Sequence, residues 1–175
     1  DVYGVRLLAD SLPELIVVSS CSKNFGLYRE RVGAMTLICD SAEAAKVATT
    51  LVAAGARAMY SMPPDHGAAI VQLILNDADL WAEWDTELTG MRDRINGLRA
   101  QLVTQIQTAG IEADFSFIER EKGMFSFLGV NVDQIQSLVN DYSIYLVNSS
   151  RINVAGVNND NIEYLAESLA TVMKA

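Results

Sequence analysis

Apolar residues set the rhythm of this chain, and their period changes several times. Val5, Leu8, Ala9 and Leu12 fall near one face of a helix predicted over Val2 to Ser11, which Pro13 stops. Leu15 to Val18 is an unbroken apolar run with the look of a buried strand, and Ala34 to Cys39 reads as a second short strand. Asp40-Ser41 caps the next helix, with Glu43 in its first turn. That helix is predicted to reach about Ala54 and to end at Gly55. The double proline Pro63-Pro64 makes Arg57 to Pro64 a loop. A helical pattern follows from His66 to about Leu75, and Asn76-Asp77 interrupts it.

The longest periodic stretch runs from Ala78 to Ala109. Trp81, Trp84, Leu88, Met91, Ile95, Leu98, Leu102 and Ile106 recur at three- and four-residue steps. Glu83, Glu87, Arg92, Arg94, Arg99, Gln101 and Gln105 are expected on its polar outer face. The repeat does not keep strict heptads with charged flanks, so a core helix is favoured over a coiled coil. Gly110 is placed to stop it. Beyond it, Asp114 to Glu119 alternates like a short strand, and Met124 to Leu128 is another after the Lys122-Gly123 turn. A helix beginning at Asn131 or Asp133 runs to about Asp141, Ile144 to Val147 reads as a strand, and Asn161 to Lys174 is a final amphipathic helix. Strands alternating with helices give an α/β or α+β class, with no repeat or low-complexity linker. Residues 1–75 read as the end of a mostly parallel sheet domain, and residues 76–175 as a smaller α+β domain hung on the long helix.

Composition narrows the classes. The 175 residues are 50% hydrophobic, enough for a sizeable core. A net charge of −9 argues against nonspecific nucleic-acid binding and against docking on anionic lipid. No apolar run reaches membrane-span length. Cys21 and Cys39 read as free thiols of a cytoplasmic protein, and one histidine without a Cys-x-x-Cys pair gives no metal-ligand cluster. His66 invites a catalytic reading, but no nucleophile or carboxylate stands beside it in sequence, so a helix-start role is favoured.

The stretch from Ser19 to Gly33 carries the chemistry. Lys23 follows an apolar run, and burying an ammonium is costly unless its charge is lost or paired. A Schiff base with an aldehyde removes the charge. The hydroxyls of Ser20 and Ser22 and the guanidinium of Arg31 suit a phosphate. A lysine-bound aldehyde with a phosphate handle describes pyridoxal phosphate. The alternative for Lys23 is a surface lysine after a strand.

Ser-x-Ser-Lys-Asn-Phe-Gly-Leu-Tyr-x-Glu-Arg-Val-Gly, from Ser20 to Gly33, resembles the cofactor-lysine motif of the aspartate and aromatic amino-acid aminotransferases, which are fold-type I pyridoxal phosphate enzymes. Three further motifs are similar to that family's. Arg57 to Ala68 matches Arg-x-x-Tyr-Ser-x-Pro-Pro-x-His-Gly-Ala, whose arginine, by resemblance, reaches across a dimer interface to the distal carboxylate of a dicarboxylic substrate. Met62 stands where the family has asparagine, and favours bulkier, apolar substrates. Gly123 to Phe127 matches Gly-Met-Phe-Ser-Phe, which implies that Phe125 faces the substrate side chain; the bland alternative is a core aromatic. Ser149 to Gly156 matches Ser-x-Arg-x-Asn-Val-Ala-Gly, whose arginine grips the substrate α-carboxylate, here Arg151. A guanidinium flanked by Ile152 and Val154 needs an anionic partner.

The resemblance implies a homodimeric aminotransferase acting on an aromatic or dicarboxylic amino acid and a 2-oxo acid such as 2-oxoglutarate, through a Lys23 Schiff base. It also implies that this stretch is a C-terminal piece: the end of the cofactor-binding large domain (residues 1–75) and the small domain with its linking helix (76–175). Family members are longer and carry their lysine past the middle, whereas this sequence opens on Asp1-Val2-Tyr3-Gly4. The groups that pair with the cofactor ring nitrogen and phenolic oxygen would lie elsewhere, so the piece alone is expected to be inactive. Two rivals stand beside this reading: a truncated noncatalytic dimerising domain, and another pyridoxal phosphate reaction such as decarboxylation or racemisation.

Overall fold

The computed structural model describes residues 2–174; Asp1 and Ala175, the outer bounds of the two expected domains, lie outside the described residues. The chain is α/β and divides between Thr86 and Glu87 into two compact units. The first begins with α1 (Tyr3–Ser11). Leu12 is extended at φ −117°, ψ 136°, the conformation a following proline imposes, and α1 ends there. β1 (Leu15–Ser20) and β2 (Gly33–Ile38) pair antiparallel, from Leu15 opposite Ile38 to Ser20 opposite Gly33. The sequence reading expected the end of a mostly parallel sheet. A parallel pair needs a crossover element, and residues 21–32 between these strands hold only turns. Gly33 is required at the strand mouth, because a Cβ there would run into the Ser19 carbonyl oxygen.

β1 is not the buried strand its apolar run suggested. Ile16 is 65% and Val18 75% exposed, alternate residues on one open face of the pair. α2 (Ala42–Tyr60) starts as expected, with Ser41 Oγ accepting the Ala44 N–H at 3.1 Å. It does not end at Gly55. It runs on to Tyr60 and is capped by Ser61 at φ 67°, whose N–H bonds the Arg57 carbonyl at 3.1 Å. The strong helix formers around Gly55 outweigh its cost of about 1 kcal/mol, and the proline signal acts only from Pro63. Arg57 is therefore in the last helical turn rather than a loop. α3 (His66–Asn76) follows. The long α4 (Ala78–Thr108) begins where Asp77 Oδ1 accepts the N–H groups of Asp79 and Leu80, and ends before Gly110 at φ 78°.

The second unit holds the hydrophobic core. Leu102, Ile106, Ile118, Ile135, Leu138 and Leu169 are completely buried in it. Asp114 to Glu119 is not a strand: α5 (Phe117–Arg120) forms instead. Asp114 Oδ1 accepts the Ser116 N–H at 2.8 Å, and the resulting turn buries Phe115 and Ile118, three residues apart. β3 (Phe125–Phe127) pairs antiparallel with β4 (Arg151–Asn153). α6 (Val132–Tyr142) opens with a capping box between Asn131 and Gln134. Ile144 to Val147 alternates in burial as a strand would, yet pairs with no strand among the described residues. α7 (Ile162–Lys174) closes the core. Among the described residues no helix is long and apolar enough to cross a membrane.

Candidate functional site

Two clusters of predicted residues form, one in each unit. The first stands on the turn after β1. The Cys21 N–H bonds the Val32 carbonyl at 3.0 Å and closes the neck of the loop. Ser20 Oγ accepts the Ser22 N–H at 3.1 Å and donates to Ser22 Oγ at 3.0 Å. Ser22 is buried, whereas Lys23 is exposed, with Nζ 5.2 Å from the centroid of the Tyr28 ring. Lys23 is thus not the buried ammonium that its apolar neighbours suggest: its amine stands at the surface of the turn. Its turn is tight, with the Gly26 N–H bonded to the Lys23 carbonyl at 3.2 Å and Gly26 at φ 68°.

Arg31 lies two residues before the Gly33 that pairs Ser20. It is exposed and adopts φ 53°, a conformation costing a non-glycine residue about 1 kcal/mol. Its Nη1 donates to the Tyr28 carbonyl at 3.2 Å, and no hydrogen bond joins it to Ser20 or Ser22 among the described residues. Hydroxyls, an amine and a guanidinium at one strand mouth make a donor set suited to a phosphorylated aldehyde.

Side chains that the sequence reading did not assign to the site hold this loop. Trp84 Nε1–H donates to the Asn24 carbonyl at 2.8 Å, and its ring stacks on Phe25 at 4.7 Å and 11°. His66 Nδ1 shares a hydrogen bond of 2.9 Å with Glu30 Oε2, so a carboxylate does stand beside the histidine. Gly67 is buried against Glu30 and Val32, where a Cβ would clash. No sequence signal links Glu30 to His66, thirty-six residues apart. Arg57, at the far end of α2, is exposed beside Met59, Tyr60 and Met62, which are 77%, 57% and 76% exposed.

The second cluster lies on the β3–β4 pair. Phe125 opposes Asn153 and Phe127 opposes Arg151, so all four project from one face. Ser126 and Ile152 take the inner face, and Ser126 is completely buried. The Arg151 guanidinium carbon lies 4.5 Å from the Phe125 ring centroid. Among the described residues Arg151 makes no ion pair; its partner here is the aromatic face, not the anion expected. Ser150, at φ 65°, delivers it: its Oγ accepts the Val130 N–H at 3.0 Å and its carbonyl the Leu128 N–H at 2.9 Å. Arg151, Phe125, Tyr145, Asn153 and Tyr164 line a cleft of about 750 Å³. A smaller cavity of about 290 Å³ near Asp93 and Asn158 holds none of the predicted residues. An arginine beside aromatic rings in an open cleft suits a carboxylate carrying an apolar group.

Residues 1–169 match the sequence profile of the family described as aminotransferase class I and II. An aspartate aminotransferase of Haemophilus influenzae is 50% identical over 173 residues, 99% of this chain and 44% of its own length. An aromatic-amino-acid aminotransferase of Pseudomonas aeruginosa is 42% identical over 172 residues, 98% of this chain and 43% of its own. An aromatic-amino-acid aminotransferase from Burkholderia pseudomallei, solved covalently bound to pyridoxal phosphate, superposes with a TM-score of 0.91 at 43% identity, covering 97% of this chain and 43% of that one. A mitochondrial aspartate aminotransferase from Trypanosoma brucei gives a TM-score of 0.90 at 40% identity, over 97% of this chain and 45% of that one. The chain thus spans less than half the length of these relatives.

Proposed function

The chain belongs to the class I and II aminotransferases, and on that premise we propose that it is the C-terminal part of a pyridoxal phosphate-dependent aminotransferase. The enzyme moves an amino group between an aromatic or dicarboxylic amino acid and a 2-oxo acid such as 2-oxoglutarate. The observation that carries this reading is the strand mouth where Ser20 and Ser22 hydroxyls, 3.0 Å apart, adjoin the exposed amine of Lys23. In this reading Lys23 holds the cofactor aldehyde, while Ser20, Ser22 and Arg31 hold its phosphate. When bound, the cofactor supplies an electron sink for bonds at the substrate α-carbon.

The other roles belong to this chain's side chains. The Lys23 amine, once released, carries a proton to and from the α-carbon as general base and acid. Arg151 grips the α-carboxylate and so orients the α C–H bond. Phe125 meets the substrate side chain. Arg57 of one subunit reads a second carboxylate in its partner within a homodimer, and Met62 tilts the preference toward aromatic substrates. Residues 1–75 are the end of the cofactor-binding domain and 76–175 the small domain with its linking helix. The free cysteines Cys21 and Cys39 support a cytoplasmic enzyme. The chain alone is inactive, because most cofactor-tuning groups belong to the remainder of the enzyme.

The test uses the full-length enzyme containing this chain. Amino transfer to 2-oxoglutarate is expected, and Lys23→Ala removes both it and the absorbance of cofactor bound to an amine. Release of carbon dioxide, or formation of the mirror-image amino acid, in place of transfer would exclude transamination. Neither activity nor cofactor binding in the full-length protein would favour the noncatalytic dimerising alternative.

A further inference from the structure

Arg99 was expected on the polar face of the long helix, yet it is 1% exposed. Its guanidinium is spent almost wholly on the segment that carries Phe125. Nη2 donates to the carbonyls of Gly123 at 2.8 Å and Phe125 at 2.9 Å. Nη1 donates to the Ile118 carbonyl at 2.9 Å, to Ser126 Oγ, and to Glu121 Oε2 at 3.3 Å. The Met124 carbonyl between those points accepts the Val154 N–H at 2.8 Å. The start of β3 is thus gripped from α4 on one side and from the turn after β4 on the other. Arg99 is not among the residues lining the cleft.

A buried cation with one partly exposed carboxylate partner is an expensive way to fill a core, and an apolar side chain of similar volume usually serves stability as well or better. What the guanidinium does that an apolar group cannot is bond, through its planar fork, the Phe125 carbonyl and Ser126 hydroxyl of β3 together with the Gly123 carbonyl just before it. Phe125 is one of those residues, and its ring lies over the Arg151 guanidinium.

We propose that Arg99 is a positioning residue for the cleft: by holding the Phe125 backbone from inside the core, it fixes the aromatic ring against Arg151 and so sets the distance between the carboxylate site and the apolar site of the substrate. The proposal rests on the substrate reading of Arg151 and Phe125 for its use, but its geometry is testable without substrate or cofactor.

The test is nuclear magnetic resonance on the full 175-residue chain. A ring stacked on Arg151 displaces that residue's Hδ and Hε resonances upfield, and Phe125→Leu defines the position without the ring. Arg99→Lys keeps the charge but loses the fork, and is expected to move those resonances most of the way to the Phe125→Leu position, while the methyl resonances of Leu138 and Leu169 stay dispersed. A folded Arg99→Lys protein with wild-type Arg151 resonances overturns the proposal. Should Arg99→Lys fail to fold, Arg99→Met takes its place: it keeps much of the side-chain volume, removes every donor to the Gly123 and Phe125 carbonyls, and touches neither Arg151 nor the ring. A shift in the same direction supports the proposal, and an unmoved Arg151 overturns it. Neither result bears on whether Lys23 holds a cofactor, so failure here and failure of the aminotransferase reading are distinguishable.

Discussion

At the scale of single residues, motif and geometry inform differently. Lys23, Arg31 and Arg151, all read from motifs, sit at strand ends and turns, where backbone conformation leaves little choice: Lys23 on a turn closed by Gly26, Arg31 at positive φ, Arg151 after a Ser150 at positive φ; Arg57, in the last turn of α2, is the exception. The residues that hold them were not legible, because Trp84 and His66 reach the loop through contacts far apart in sequence. Arg99 is an intermediate case. Its spacing with Ile95, Leu102 and Ile106 is that of a buried stripe, but its charge assigned it to the outside. Trp84→Phe keeps a ring for Phe25 and loses the hydrogen bond to Asn24, a loss of about 1 kcal/mol. Amide exchange at Gly26 and Leu27 is therefore expected to quicken about fivefold if the loop opens locally. Unchanged exchange would mean that the stacked ring alone holds the loop. On the proposed role of Arg151 as the two-pronged grip on the substrate carboxylate, Arg151→Lys in the full-length enzyme should lower kcat/KM about 100-fold. Steady-state kinetics with amino acid and 2-oxo acid should show the loss for both. Asp114 gives a pH dependence. The Ser116 hydroxyl, then the Ser116 N–H, hold its carboxyl below the ordinary aspartate value. Protonation therefore favours the unfolded chain. The stabilisation is complete above the ordinary value of about 4 and fades as pH falls through the lower folded value. Thermal unfolding below about pH 4 should decline less steeply in Asp114→Asn than in the wild type.

At the scale of elements, amphipathic helices were legible and short strands less so. α4, α6 and α7 lie where their periodicity put them, since each buries a stripe against one core. The two strand errors have different causes. Apolar alternation over four to six residues promises alternate burial, but the turn from Asp114 to Ile118 buries Phe115 and Ile118, three residues apart, whereas the extended run from Ile144 to Val147 does alternate in burial and lacks only a ladder among the described residues. The antiparallel pairing of β1 and β2 was not legible, because pairing direction depends on the connection and not on the strands themselves. Gly55 separates two accounts of α2. As a terminal residue at positive φ it would resist substitution, but in the helix interior, with open space where a Cβ would stand, it is only a weak point. Gly55→Ala is therefore expected to stabilise α2 by about 1 kcal/mol, read from urea unfolding of the full-length protein by helical circular dichroism. Destabilisation would restore the helix end to Gly55.

At the scale of the whole chain, the burial of apolar side chains is uneven, and that bears on what the sequence encodes by itself. Every completely buried hydrophobic side chain among the described residues lies beyond Thr86, from Leu102 to Leu169. In the first unit only Ser22 and Gly67 are buried among the described residues, while Ile16, Val18, Leu51 and Leu73 are between 63% and 75% exposed. Burial of apolar area is the main favourable term in folding, so the stability of this chain is concentrated in its second unit. Hydrogen exchange should divide accordingly. The amides of Leu102 to Ile106 and of Ala166 to Val172 should exchange slowest, and those of β1 and β2 near the rate of local opening. An excised segment of residues 87–175 should unfold in one cooperative transition close to that of the full chain, whereas residues 1–86 should show none. A protected β1–β2 pair in the isolated chain would mean that the first unit stabilises itself. The proposed enzyme would give the contrast a reason: in that reading the face bearing Ile16 and Val18 is part of a cofactor-binding domain to which the longer protein contributes further chain. Joining that remainder should then raise protection at Val17 and Val18 while leaving α7 unchanged. The same experiment asks whether the turn bearing Lys23 acquires its fixed geometry only when the strand beneath it is covered.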